Sequence, residues 1–287
     1  MTARRTASSW AAAAACAIAP APATAQESAE QTVPPAVGAT RDAWTVRLEP
    51  AAWYAAPGGE FQIPGSSTSR LPADHSNMDS PRFAPFGEVH VAHDRYGFYA
   101  GAVVFNAEDR GWIALGPGTI GGVAFSAGDE LTTTLDFVSA EAAGYYRLYR
   151  RPRGERKFGG FLYEPTWDVL VGARLYDVGL DVAAPAGVSS NDSFFAEPYV
   201  GLRFSMDLIE EVTVDVQATV GYFYDGADRR STSWDIIAGF QWNPSPNFGM
   251  QAGYRQLAFL LHDGDGSGAF EFNGALAGLY LGGTLRF

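Results

Sequence analysis

Between Phe270 and the last residue, Phe287, the chain alternates in character at almost every step. Ala275, Ala277, Leu279, Leu281, Gly283, Leu285 and Phe287 fall on one face of an extended strand, and Gly278, Tyr280, Gly282, Thr284 and Arg286 on the other. A final strand leaves an open sheet edge unless it pairs with another strand of the same chain. In hydrocarbon that pairing is compulsory, because every backbone polar group must be satisfied within the protein. A closed sheet that shows lipid one side chain in two meets both conditions. The ending therefore predicts an all-β fold, a transmembrane antiparallel up-and-down β-barrel.

The other end of the chain predicts export. Arg4 and Arg5 precede an apolar stretch, Trp10 to Ala19, that is too short to span a bilayer as a helix, and Ala23-Thr24-Ala25 has the small-x-small form of a cleavage site. Residues 1–25 read as a signal peptide, 26–42 with Pro34 and Pro35 as a flexible lead-in, and 43–287 as the barrel. Cys16 is the only cysteine and goes with the leader, so the mature chain has no disulfide framework and no thiol chemistry. The leader also carries two of the 20 basic residues, and the mature balance of 18 against 32 acidic residues moves the net charge from −12 to −14. So acidic a chain is a poor partner for nucleic acid.

Alternation predicts ten strands, near 43–55, 84–94, 96–106, 131–149, 165–179, 194–206, 210–224, 231–242, 247–261 and 269–287. Eight to twelve is the range that the pattern allows. Short turns are expected at 93–95, 206–209 and 243–246, and longer or more polar loops at 56–83, 107–130, 180–193, 225–230 and 262–268. The two kinds alternate along the chain, as periplasmic turns and external loops do in outer-membrane barrels. The connection 150–164 is long for a turn. It holds the one strongly basic cluster, Arg150, Arg151, Arg153, Arg156 and Lys157, read as a solvated turn or headgroup contact on the periplasmic side.

Cost decides which face meets lipid, since an Arg facing lipid near the bilayer midplane costs roughly 2–4 kcal/mol. Trp167, Val169, Val171, Ala173 and Leu175 therefore face lipid, and Asp168, Gly172, Arg174 and Tyr176 the lumen. The same split sets Val212, Val214, Val216, Ala218 and Val220 against Thr213, Asp215, Gln217 and Thr219, and Pro198, Val200, Leu202 and Phe204 against Glu197, Tyr199 and Arg203. Trp44, Trp167, Trp234, Trp242 and Tyr222 fall where headgroup-level aromatic girdles belong.

In these patterns, WTVRLEPAAW (Trp44 to Trp53), WDVLVGARLYDV (Trp167 to Val178), EPYVGLRF (Glu197 to Phe204), WDIIAGFQW (Trp234 to Trp242), GYRQL (Gly253 to Leu257) and the terminal Leu279 to Phe287, the chain resembles small Gram-negative outer-membrane β-barrel proteins, porin-like and mostly of undefined function. The resemblance implies an outer-membrane location, with membrane lipid, lipopolysaccharide and the barrel-assembly machinery as partners. It implies an insertion signal made of Tyr280, Gly282, Leu285 and Phe287 in the last strand. Its motifs are strand patterns and imply no reaction.

Lumen-facing charges are the main candidate site: Arg47, Glu49, Glu88, Glu141, Arg147, Asp168, Arg174, Glu197, Arg203, Asp215, Asp235 and Arg255. Such groups must pair or stay hydrated, because an unpaired buried charge is costly. One reading is a salt-bridged interior that holds strand register, and the alternative is a narrow, solute-selective channel. A third class, a rim enzyme, would use His75 beside Asp74 or His262 beside Asp263 as a general base, yet no nucleophile motif accompanies either. His90 is expected to pair with Glu88. Asp263 and Asp265 open like a calcium loop, but Gly274 stands where the bidentate Glu belongs. The expectation is a structural or porin-like membrane protein with no enzymatic activity, no metal and no cofactor.

Overall fold

The computed structural model describes residues 44–66, 70–73, 78–150 and 163–287. The leader, the lead-in, the Arg151 to Lys157 cluster and His75 lie outside them. In chain order the elements are β1 (Thr45–Gln62), β2 (Leu71–Pro72), β3 (Arg82–His93), β4 (Tyr96–Ile113), β5 (Gly118–Ile120), β6 (Val123–Phe125), β7 (Glu130–Arg150), β8 (Glu164–Ala184), β9 (Gly187–Ile209), β10 (Val212–Tyr224), β11 (Arg230–Trp242), β12 (Phe248–Asp263) and β13 (Phe270–Arg286).

Ten of these strands pair antiparallel in the order β13-β12-β11-β10-β9-β8-β7-β4-β3-β1, and β13 returns to β1 to close the barrel. That seam runs from Arg47 opposite Arg286 to Gln62 opposite Glu271. At its foot Val46 and Phe287 exchange both backbone hydrogen bonds, at 3.2 and 2.9 Å. Gly278 permits the close approach, since a Cβ there would stand 1.9 Å from the Tyr54 carbonyl oxygen. β2 adds a short strip to the far end of β1, and β5 and β6 form a separate hairpin turned by Gly121 and Gly122 at φ +55° and +78°.

All ten expected barrel strands are present, and several run past their expected ends. The stretch 180–193 is not a long loop: β8 and β9 continue to Ala184 and Gly187, with only Pro185 and Ala186 between them. The turn expected at 206–209 sits instead at Glu210 and Glu211, because β9 continues to Ile209. β4 and β7 likewise extend into the expected loop 107–130.

The reason is a change of polarity without a change of phase. Outside, β8 carries Trp167, Val169, Val171, Ala173 and Leu175, then Asp177, Gly179 and Asp181. Inside, it carries Asp168, Gly172 and Arg174, then Tyr176, Val178, Leu180 and Val182. β7 does the same, with Asp136, Thr134 and Thr132 outside and Phe137, Leu135 and Leu131 inside. On these strands the wall is thus apolar outside and polar inside near the termini, and polar outside and apolar inside at the far end. The second half is how a sheet solvated by water packs a core. The expectation of a polar lumen along its whole length is corrected accordingly.

The far half of the interior is a single apolar cluster. Phe137 stacks on Phe259 at 5.1 Å, and Phe259 meets Phe272 edge-on at 5.0 Å. Phe61, Phe105, Tyr176 and Phe195 fill the space around them, and Ile63, Met78, Ile120 and Phe125 from the far-end connections cover it. Backbone bonds from Gly65 to the Ser267 carbonyl and from Gly122 to the Gly65 carbonyl tie those connections together.

Candidate functional site

All twelve charged residues singled out above face the interior, in three separate groups. The first lies at mid-height. Arg174 on β8 is 0% exposed and donates to Glu141 Oε2 at 2.7 Å, Asp235 Oδ2 at 3.1 Å, Thr219 Oγ1 at 3.1 Å and Ser233 Oγ at 3.1 Å. Arg255 on β12 donates to the same two carboxylates, at 2.7 Å to Asp235 Oδ2 and 3.4 Å to Glu141 Oε1. Two guanidiniums and two carboxylates from β7, β8, β11 and β12 thus neutralise one another across the bore. Arg174 also lies over the Tyr199 ring at 4.9 Å and Arg255 over Trp53 at 5.5 Å. Glu197 joins from β9, accepting from Tyr176 Oη at 2.8 Å and from Ser233 Oγ. It has room because Gly221 lacks a side chain: a Cβ there would stand 2.4 Å from Glu197 Oε1.

The second group lines a recess on the termini side of this layer, about 580 Å³ counted with its open mouth. Arg203 donates twice to Gln217 Oε1, at 2.9 and 2.7 Å, and lies over the Tyr99 and Tyr145 rings. Asp215 faces the same space. Across from it Arg47 pairs with Glu49 at 2.9 Å, and His90 Nε2 meets both Glu88 at 2.9 Å and Glu49 at 3.1 Å. The third group is a single pair nearer the wall, Arg147 to Asp168 at 3.1 Å.

Several residues that close the bore carry no charge, and charge patterning misses them. Tyr99 and Tyr199 share a hydrogen bond of 2.6 Å across the interior, and Gln217 reaches Tyr99 Oη at 3.4 Å. Their one signal in the sequence was an inward position on an alternating strand.

At the far rim, His262 Nδ1 stands 3.5 Å from Glu271, and Arg70 spans Glu60 at 2.8 Å and Glu271 at 2.6 Å. Hydrogen bonding to Glu60, then to Glu271, raises the Arg70 guanidinium above its ordinary value. Among the described residues, the charged partner of His262 is Glu271. Asp263 pairs with Arg229 at 3.7 Å, and Asp265 precedes a short 3-10 turn, Gly266–Gly268. Among the described residues, one group of three or more potential metal ligands converges, and it lies at Glu49, Glu88 and His90 rather than in this loop. Of the expected insertion-signal residues, Tyr280 faces inward, Gly282 abuts Ala51, and Leu285 and Phe287 face outward.

Solved barrels share the architecture. The chain is similar in fold to the outer membrane protease OmpT of Escherichia coli, at 13% identity over 85% of this chain and 97% of that one, with a TM-score of 0.46. It is similar to Neisserial surface protein A, NspA, at 14% identity over 85% and 97%, TM-score 0.32. It is also similar to Ail, the attachment invasion locus protein of Yersinia pestis, at 11% identity over 84% and 99%, TM-score 0.34. No protein-family model and no curated sequence matches the chain.

Proposed function

We propose that this protein is an integral barrel of the bacterial outer membrane with a structural, non-conducting role. Its outward apolar band has the height that a bilayer needs. The band spans residues 167–175 on β8 and 194–204 on β9, against the roughly 9–11 residues of a tilted membrane strand. Trp44, Trp167 and Trp242 stand exposed near its termini-side edge, as aromatic girdles do. On this reading both termini and the recess face the periplasm, and the polar-walled far half projects outside the cell.

The observation that carries the non-conducting role is the closure at mid-height. The Glu141–Arg174–Asp235–Arg255 layer and the aromatic cluster beyond it leave a solute no continuous path. A salt-bridged interior of this kind serves to hold ten strands in register, with outer-membrane lipid, lipopolysaccharide and the barrel-assembly machinery as the partners. Purified protein should run as a compact, heat-modifiable band before boiling and give no discrete current steps in planar bilayers. Steps of constant conductance would overturn the structural reading in favour of a narrow, solute-selective channel.

A further inference from the structure

The wall of the recess holds a second cluster that the mid-height closure does not use. β1 and β3 are hydrogen-bonded neighbours that set Glu49 opposite Glu88 and Arg47 opposite His90. The three inward side chains of Glu49, Glu88 and His90 bring one ligand atom each within 4.8 Å of the others. Two carboxylates held this close repel unless a positive centre lies between them.

The two oxygens of Glu49 have different surroundings. Oε1 meets Arg47 Nε at 2.9 Å, Gln241 Nε2 at 2.9 Å and Thr284 Oγ1 at 3.5 Å. Oε2 faces His90 Nε2. Two hydrogen-bond donors and the Arg47 ion pair on one oxygen orient the carboxylate and leave the other aimed at the imidazole, which is how outer partners hold a metal ligand in place. Glu88 Oε2 reaches the same nitrogen. The imidazole ring is stacked on Tyr99 at 5.4 Å and 22°, which fixes its plane.

We propose that His90 Nε2, Glu49 Oε2 and Glu88 Oε2 form a binding site for a divalent transition-metal ion of the zinc class. Ligand atoms around a tetrahedral ion with bonds of about 2.0–2.2 Å stand roughly 3.3 Å apart. The nitrogen-to-oxygen distances of 2.9 and 3.1 Å would widen by a few tenths of an ångström, and the two carboxylate oxygens, within 4.8 Å of each other, would settle to the same separation around the ion. An imidazole among the ligands favours zinc and its transition-metal neighbours over magnesium and calcium, which take oxygen ligands. The remaining coordination position opens on the recess, where water completes the shell. Arg47 stays on Glu49 Oε1 throughout and need not move.

The test uses the mature chain without an affinity tag, refolded in detergent and equilibrated with zinc. One zinc per chain is expected by calorimetry and elemental analysis, with magnesium and calcium failing to compete at about 100-fold excess. Folded His90→Gln and Glu88→Gln should each weaken zinc binding about 100-fold, while His93→Gln and His262→Gln leave it unchanged. A folded wild-type barrel that takes up no zinc, or binding unaltered in folded His90→Gln, overturns the proposal and leaves the structural role standing. If neither ligand variant folds, cobalt(II) loaded into the wild type decides: a visible band of four-coordinate nitrogen and oxygen ligation supports the site, and its absence overturns it.

Discussion

At the scale of single residues, the interior is governed by the cost of unpaired charge. Arg174 is fully buried and is held by two carboxylates and two hydroxyls. Removing one partner of such a set leaves the others buried and uncompensated, which costs about 3–5 kcal/mol. Arg174→Met should destabilise the folded barrel by that amount in urea titrations from lipid vesicles. An unchanged midpoint would show that the layer is hydrated. Arg174, Glu141, Asp235 and Arg255 were each legible in the sequence as inward charges on alternating strands. Their partnership was not, because they come from β7, β8, β11 and β12 and meet only across the bore. Tyr99 and Tyr199 show the same limit at a distance of one hundred positions.

At the scale of elements, the long strands β7, β8 and β9 carry a boundary between an apolar and a polar outer face that their own alternation does not announce. Val200 and Asp192 both point outward from β9, four side chains apart on one face. Val200 lies mid-band and Asp192 beyond it. Val200→Arg should cost roughly 2–4 kcal/mol of stability in vesicles and Asp192→Arg roughly 0–1 kcal/mol. Equal costs would move the band. The segment from Tyr176 to Val182 explains why β8 outruns its expected end: it alternates cleanly, but apolar inward and polar outward, the reverse of Trp167 to Leu175. The sequence pattern predicts an end at 179, whereas the backbone ladder continues to Ala184. The last strand makes its own prediction. Phe287 supplies both backbone bonds to Val46 at the foot of the seam and an aromatic ring 68% exposed. Deleting Phe287 should reduce the heat-modifiable form in outer-membrane fractions without lowering the exported pool, and an unchanged folded fraction would remove the terminal residue from assembly.

At the scale of the whole molecule, Tyr, Arg and Phe side chains fill much of the interior that ten strands enclose. The barrel becomes two stacked interiors, a polar recess toward the termini and an apolar core toward the far end. Their orientation across the membrane is testable because Cys16 is the only cysteine in the chain. Ala186→Cys, in the tight β8–β9 turn, should react with an impermeant maleimide on intact cells. Ser245→Cys, in the β11–β12 turn, should react only after the outer membrane is permeabilised. The opposite pattern would invert the barrel and turn the recess outward.

The sequence by itself determined that the chain is an antiparallel barrel of eight to twelve strands and which side chains point inward, because a period of two is a local property of an extended backbone. Only the tertiary structure decided which inward residues meet, how far the strands rise beyond the apolar band, and that the bore is closed. Those depend on curvature and register around the closed sheet, which bring together residues as distant as Glu49 and Gln241. A contact across the lumen leaves no mark in the spacing of either strand that makes it.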